Sequence, residues 1–276
     1  MDLGTETALN ECTEQDKNKM PRRRTVLPDA LGPCHKPLMI SVIIPTLNAA
    51  ETLASTLEAL IPAAVQGLVR EVVVADGGST DQTQRIADGV GADTVAGGAT
   101  RSSRVIGGAQ RAKMPWLLFL NPDAVLDTGW EREAEQVIGK VDSCRIAPSA
   151  AVFRYSIDDD GFAPRAVETL TNWGGALFGF AHAEQGLLIP RAMYASLGGF
   201  RPMPLLEDID LTRRIGRRYL VRLKRPVVSS AAHLRTEGYF AGSVRHAGCL
   251  ALFTLNVPLD RIAVLQGKTA VQTASV

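Results

Sequence analysis

Glu71-Val72-Val73-Val74-Ala75-Asp76-Gly77-Gly78-Ser79-Thr80-Asp81 is the stretch that decides the fold. Three consecutive valines without polar alternation read as a strand buried on both faces, the signature of a parallel sheet covered by helices. Asp76 is the polar residue that emerges from it. A glycine turn follows, in which Ser79 or Thr80 caps a helix over Gln82 to Val90. Upstream, Met39-Ile40-Ser41-Val42-Ile43-Ile44 repeats the pattern and stops at Pro45. After the turn Pro45-Thr46-Leu47-Asn48, Leu53, Leu57 and Leu60 recur at helical spacing, so Ala50 to Leu60 reads as a helix. Downstream come a weaker strand, Thr94 to Ala96, a glycine loop to Arg101, and a helix from Ser102 to Lys113. The strong strand Trp116 to Leu120 then ends at Asn121-Pro122-Asp123. This alternation predicts an α/β fold, a mostly parallel sheet with helices on both faces and right-handed crossovers.

The second half is more mixed. Ile146 to Ser156 and Gly186 to Pro190 read as strands, and Pro164 to Phe180 as a helix with glycine interruptions. Arg191 to Leu197 is a helical turn closed by Gly198-Gly199-Phe200, and Glu207 to Tyr219 an amphipathic helix opening on acidic residues. Val221 to Leu223 and Val227 to Ser229 read as short edge strands. Residues 39–267 form one expected domain. Residues 1–38, with Arg22-Arg23-Arg24 and several prolines, read as a polar disordered leader or the product of a start codon set too early; 268–276 reads as a tail.

The 276 residues are 46% apolar and 21% charged, with 30 Lys and Arg against 29 Asp and Glu and a net charge of +1. That balance gives no bulk attraction to nucleic acid. Cys12, Cys34, Cys144 and Cys249 lack metal-ligand spacing and read as free thiols in a cytoplasmic protein. No stretch approaches the ~20 apolar residues of a membrane span. Arg245 to Asn256 permits either a peripheral helix at the inner membrane face or a buried C-terminal helix.

Asp76, Arg101 and Asp123 each follow a strand's carboxyl end, where open α/β sheets bind ligands. Asp76 suits a base imide N–H or a ribose hydroxyl, and equally a turn cap. Arg101 suits a phosphate, and equally a solvated surface beside Arg104 and Arg111. Asp123, with Asn121 two residues back, suits a hard divalent cation on a departing diphosphate, and equally a plain turn. Glu207-Asp208-Ile209-Asp210-Leu211 offers a general base, although acidic first turns also answer the helix dipole. Consecutive helical residues diverge, so Glu207 and Asp208 can share one narrow site only behind a non-helical start; Asp208 is the preferred base. There is no Walker lysine loop, no G-x-G-x-x-G after a strand and no nucleophile elbow.

Ser41 to Asn48, Glu71 to Asp81, Leu118 to Asp123, and Glu207 to Leu211 with Arg214, in this order, resemble the inverting glycosyltransferases of family 2, which have the GT-A nucleotide-sugar fold. A closer resemblance is to the bacterial subgroup associated with arsenosugar biosynthesis, through Thr100-Arg101-Ser102, Glu184-Gln185-Gly186 and Gly198-Gly199-Phe200 before Pro204 to Asp208. The resemblance implies a nucleotide-sugar donor bound by Pro45, Thr46, Asn48, Asp76 and Arg101, with Mg2+ or Mn2+ on Asp123. It also implies Asp208 as base with Glu207 beside it, and Asn121, Glu184 and Gln185 near the donor sugar or an unidentified acceptor. Asn121 departs from the family's D-x-D, and Thr100, Arg104 and Ile106 depart from the subgroup's G-R-A-x-Q-M-N. A nucleotidyltransferase and a non-catalytic nucleotide-binding protein on the same sheet are the other readings.

Overall fold

The computed structural model describes residues 38–255, 257, 261 and 262. The expected leader, apart from Leu38, and the expected tail lie outside these residues. Four strands, β1 (Ile40–Thr46), β2 (Val69–Asp76), β3 (Asp93–Ala96) and β4 (Trp116–Phe119), run parallel in the order β3-β2-β1-β4. They are connected through α1 (Ala50–Glu58), α2 (Ile61–Val65), α3 (Thr83–Gly89) and α4 (Arg101–Arg111). The chain continues through β5 (Ala124–Leu126), α5 (Trp130–Asp142), β6 (Ala150–Asp158), α6 (Phe162–Phe178), β7 (Leu187–Pro190), α7 (Arg191–Ser196), α8 (Glu207–Ile215), β8 (Leu220–Ser230), α9 (Ala232–Glu237) and α10 (Tyr239–Thr254). These extend the sheet as β4-β7-β6-β8-β5, with β7 antiparallel to both neighbours and β6 parallel to β8.

The central strands read as unbroken apolar runs because both sheet faces are covered. Ile40, Val42 and Ile44 of β1 pack with Leu53, Leu57, Trp130 and Ile138 on one side, while Ile43 packs with Val105 and Ala109 of α4 on the other. Gly108 lets α4 lie that close: a Cβ there would stand 2.4 Å from Ile43 Cγ2. Pro45 sits inside β1 without breaking the ladder. Its nitrogen points to the β4 side, and the last β1–β4 pair is Ile43 with Phe119. The order of strand addition switches sides between β1 and β4 while both run parallel, so the loops after β1, β2 and β4 open onto one crevice.

Several expectations need correction. β5 and α5 were not anticipated, although Trp130, Ala134, Val137, Ile138 and Val141 hold a helical spacing and are buried. The two short edge strands are one strand, β8, lying between β6 and β5. A register shift between Val152 and Arg154 carries the pairing past the interruption at Pro226. The acidic helix ends at Ile215, because Gly216 at φ 84° turns the chain into a separate 3-10 turn at Arg217–Tyr219. Cys144 takes part in a disulfide, so the reading of four free thiols does not hold. Cys249, Leu250, Leu252 and Phe253 of α10 pack on Phe180, Leu205, Leu206 and Ile209, which is the buried alternative for that helix. Among the described residues, no helix is long and apolar enough to cross a membrane.

Candidate active site

The β1 and β2 loops are clasped into one unit. Asn48, at φ 50°, accepts from the Thr80 N–H at 2.9 Å, and its own N–H donates to Ser79 Oγ at 2.8 Å. The N–H groups of Ala49 and Ala50 donate to Thr83 Oγ1 and Asp81 Oδ2. Asp76 is buried beneath them and accepts from Thr46 Oγ1, Gly78 N–H, Ser79 N–H, Ser79 Oγ and Gln84 Nε2 at 2.5–3.0 Å. Burial alone would raise its pKa, but the hydrogen bonds from Ser79, Gln84 and Thr46 outweigh it and lower the value to about 2. A carboxylate has about four lone-pair sites, so these five bonds commit Asp76 to shaping the loop rather than leaving it open to a ligand.

The second half of the site is acidic. Thr100 caps α4 by accepting from the Ser103 N–H, and this aims Arg101 across the crevice. Arg101 Nη1 donates to Glu207 Oε1 at 2.5 Å and Nη2 donates to Asn121 Oδ1 at 2.9 Å. Burial would lower the Arg101 pKa, yet the charges of Glu207, Asp208 and Glu184 raise it. Asp208 accepts from the N–H groups of Ala183 (2.5 Å) and Ile209 (2.9 Å). Its pKa is pushed well above the ordinary carboxylate range by burial first and then by Glu207 and Glu184, against the lowering effect of Arg101. Asp123 is raised as well, by burial and by Glu184. Glu207 and Asp208 are consecutive residues of α8 and reach different partners, Arg101 and the Ala183 N–H; Leu206, just before them, has φ 60°. A left-handed leucine costs about 1–2 kcal/mol, a strain of the kind found at functional sites.

Residues 41–167 match the sequence model of glycosyl transferase family 2. The chain is a glycosyltransferase of the GT-A fold. Glucosyl-3-phosphoglycerate synthase from Mycobacterium tuberculosis, solved with Mn2+, UDP and glucosyl-3-phosphoglycerate, superposes with a TM-score of 0.55 at 20% identity, covering 80% of this chain and 81% of that one. S. aureus TarS gives 0.54 at 16% identity, covering 75% of this chain and 63% of that one. Mannosyl-3-phosphoglycerate synthase from Rubrobacter xylanophilus gives 0.52 at 15%, covering 80% and 76%. At these identities the likeness is one of fold. No curated protein matches the sequence.

In this glycosyltransferase the structure brings Arg101, Asn121, Asp123, Glu184, Glu207 and Asp208 into one electrostatic neighbourhood. Thr46, Asn48 and Asp76 form the adjoining loop platform, with Pro45 buried in β1 behind them. Gln185 stands apart. It is fully buried, accepts from the His182 N–H and donates to the Phe153 carbonyl, so it anchors the Glu184 turn. Arg214, noted in the same motif as Glu207, donates to the carbonyls of Leu197 and Gly199 and to Asp210, pinning the glycine turn to α8. Tyr155 on β6 was not anticipated. Its hydroxyl is buried and its pKa raised, by that burial and by Glu184 and Asp123, which places it beside the acidic cluster. Only the alternation of Ala151, Phe153 and Tyr155 along β6 hinted at its direction, and alternation does not say which site it faces.

Proposed function

We propose that this glycosyltransferase moves a sugar from a nucleoside diphosphate to an acceptor hydroxyl by single displacement, with inversion at the anomeric carbon. The carrying observation is Asp208, fixed by two backbone N–H groups and given raised proton affinity beside Glu207. A general base works best when its pKa approaches the working pH. The acceptor oxygen forms its bond to the anomeric carbon as the bond to the diphosphate oxygen breaks, and Asp208 takes the hydroxyl proton. Glu207 holds Arg101 at the rim, from where its guanidinium can turn to the diphosphate oxygens. The β1 and β2 loops, with Thr46 and Asn48 and shaped from beneath by Asp76, receive the nucleoside, and Glu184 and Asn121 face the donor sugar or acceptor.

The residues fit a divalent cation, Mg2+ or Mn2+, at Asp123. Burial and the charge of Glu184 both disfavour its ionised form, and a hard cation relieves both. Bound there, the ion would stabilise the negative charge gathering on the departing diphosphate. The arsenosugar-type subgroup remains part of this reading, supported by Glu184-Gln185-Gly186, whose turn Gln185 anchors beside the cluster.

A thermal-shift panel of UDP-, GDP- and dTDP-sugars with and without Mn2+ names the donor. Nucleoside diphosphate release by wild type, Asp123→Asn and Asp208→Asn then tests the roles. Turnover retained by Asp208→Asn at the wild-type rate rejects Asp208 as base. A non-catalytic nucleotide binder is the second reading, motivated by Asn121 and Ile106, which depart from the family and subgroup patterns. Calorimetry showing metal-independent nucleotide binding without turnover would establish that second reading.

A further inference from the structure

Among the described residues, nothing covers a large apolar face of helix α6. Phe162, Leu170, Trp173, Leu177 and Phe178 are between 63% and 83% exposed. At about 100° per residue, Phe162, the half-buried Ala166, Leu170, Trp173 and Leu177 fall within an arc of about 80°, one stripe running roughly 22 Å along the helix. At roughly 200 Å2 per large apolar side chain, the four exposed residues of the stripe, Phe162, Leu170, Trp173 and Leu177, present about 600 Å2, and Phe178 lies off it. A monomer's largest bare patch is typically about 300–600 Å2, and a stable interface needs about 800 Å2 per partner.

We infer that α6 is the two-fold interface of a homodimer, packed antiparallel against α6 of a second copy. The stripe is self-complementary in that arrangement. An axis passing between Thr169 and Leu170 sets Phe162 against Leu177 of the partner subunit. It sets Ala166 against Trp173 of the partner subunit, so the largest side chain of the stripe covers the smallest. The charge pattern favours a protein partner over a lipid surface. Residues Thr169 to Phe178 carry no charge, and Arg165 and Glu168 pair with each other at 2.6 Å. Helices that lie in membrane interfaces are instead rich in Lys and Arg along the polar face. The opposite face of α6 is already occupied by β6. Asn172 brackets the backbone of Tyr155 with two hydrogen bonds of 2.9 Å, and Glu168 accepts from Ser156 Oγ and the Ile157 N–H. The interface would thus back the strand that carries Tyr155 to the acidic cluster.

Sedimentation velocity of the full chain is expected to show a dimer, and Trp173→Glu a monomer with unchanged circular dichroism and melting temperature, since Trp173 is exposed. Cysteine pairs test the geometry independently. Leu170→Cys should cross-link to itself with a short bismaleimide above the wild-type background. Phe162→Cys should cross-link only when mixed with Leu177→Cys. A monomeric wild type, a dimer untouched by Trp173→Glu, or the reverse cross-linking pattern would overturn the proposal. So would a monomer that binds phosphatidylcholine–phosphatidylserine vesicles through Trp173, which would assign the face to lipid.

Discussion

Replacing Arg101 by Met removes the cation that answers Glu207 while keeping an unbranched stem of similar bulk. Arg101 and Glu207 side chains are 31% and 7% exposed, so the pair lies between the surface and buried limits. Exposed pairs contribute roughly 0–1 kcal/mol, and breaking a buried pair costs about 3–5 kcal/mol because the surviving charge is stranded. Coulomb attraction at about 4 Å and an effective dielectric of about 20 is roughly 4 kcal/mol. Desolvation offsets part of it, and a net loss of about 2 kcal/mol follows. For a domain of this size that lowers Tm by roughly 4–8 °C. Glu207→Gln should cost less, and the double variant should recover most of the loss of Arg101→Met, a coupling of about 1–2 kcal/mol in a double-mutant cycle. The pH–rate profile gives a second readout with opposite signs. Arg101 lowers the Asp208 pKa and Glu207 raises it, so the acidic limb of activity should move to higher pH in Arg101→Met and to lower pH in Glu207→Gln. Additive melting temperatures together with limbs that do not move would refute the coupled-cluster account.

Asp76→Asn should destabilise the protein by about 2 kcal/mol at neutral pH. The folded pKa is depressed, so this contribution is present above the unfolded value of about 4 and is lost as pH falls through about 2; in urea melts the difference between wild type and variant should be about half as large at pH 3 as at pH 7. Asp208 has the opposite sign. Its raised folded pKa means wild-type stability declines as pH rises from the ordinary carboxylate range through the raised value, and Asp208→Asn should flatten that decline while abolishing transfer. Gly108→Ala should cost about 1–3 kcal/mol by forcing α4 away from Ile43, as seen in the denaturation midpoint. Asp123→Asn should abolish the Mn2+-dependent part of the thermal shift produced by a nucleotide sugar, while the melting temperature of the free protein changes little.

What was legible in the sequence follows from how locally each feature is determined. β1, β2 and β4 announce themselves because every residue of β1 and β4, and the last four of β2, are buried, so the apolar runs are nearly continuous. β8 did not, because Lys224-Arg225-Pro226 interrupts it and its continuity depends on pairing with β6, roughly 70 residues earlier. The candidate positions at the crevice were legible where a strand end marks it, as at Asp76, Arg101 and Asp123. Their partnerships were not: Arg101 meets Glu207 across 106 residues of sequence, and no local pattern signals that an arginine read as a phosphate ligand is held by the residue beside Asp208. Asp76 shows the limit from the other side. Its place at the end of β2 was legible, but the engagement of its oxygens by Thr46, Ser79 and Gln84 is a property of two loops folded together.

The asparagine at 121 is best understood through the same cluster. An aspartate there would stand beside Asp123, and would join Glu207 in binding Arg101, whose Nη2 already donates to this position. That would tie the guanidinium to two carboxylates and add repulsion against a neighbour whose ionisation is already disfavoured by burial and Glu184. Asn121 gives Arg101 an acceptor without adding charge, so the arginine stays oriented while bound by one ion pair rather than two. An Asn121→Asp variant should therefore bind Mn2+ more tightly in the absence of donor, by drawing the cation onto two carboxylates. It should also bind nucleoside diphosphate less tightly in the absence of metal, because Arg101 is held back. Calorimetric titrations with each ligand alone separate the two effects, and a rise in both affinities would show that Arg101 takes no part in holding the diphosphate.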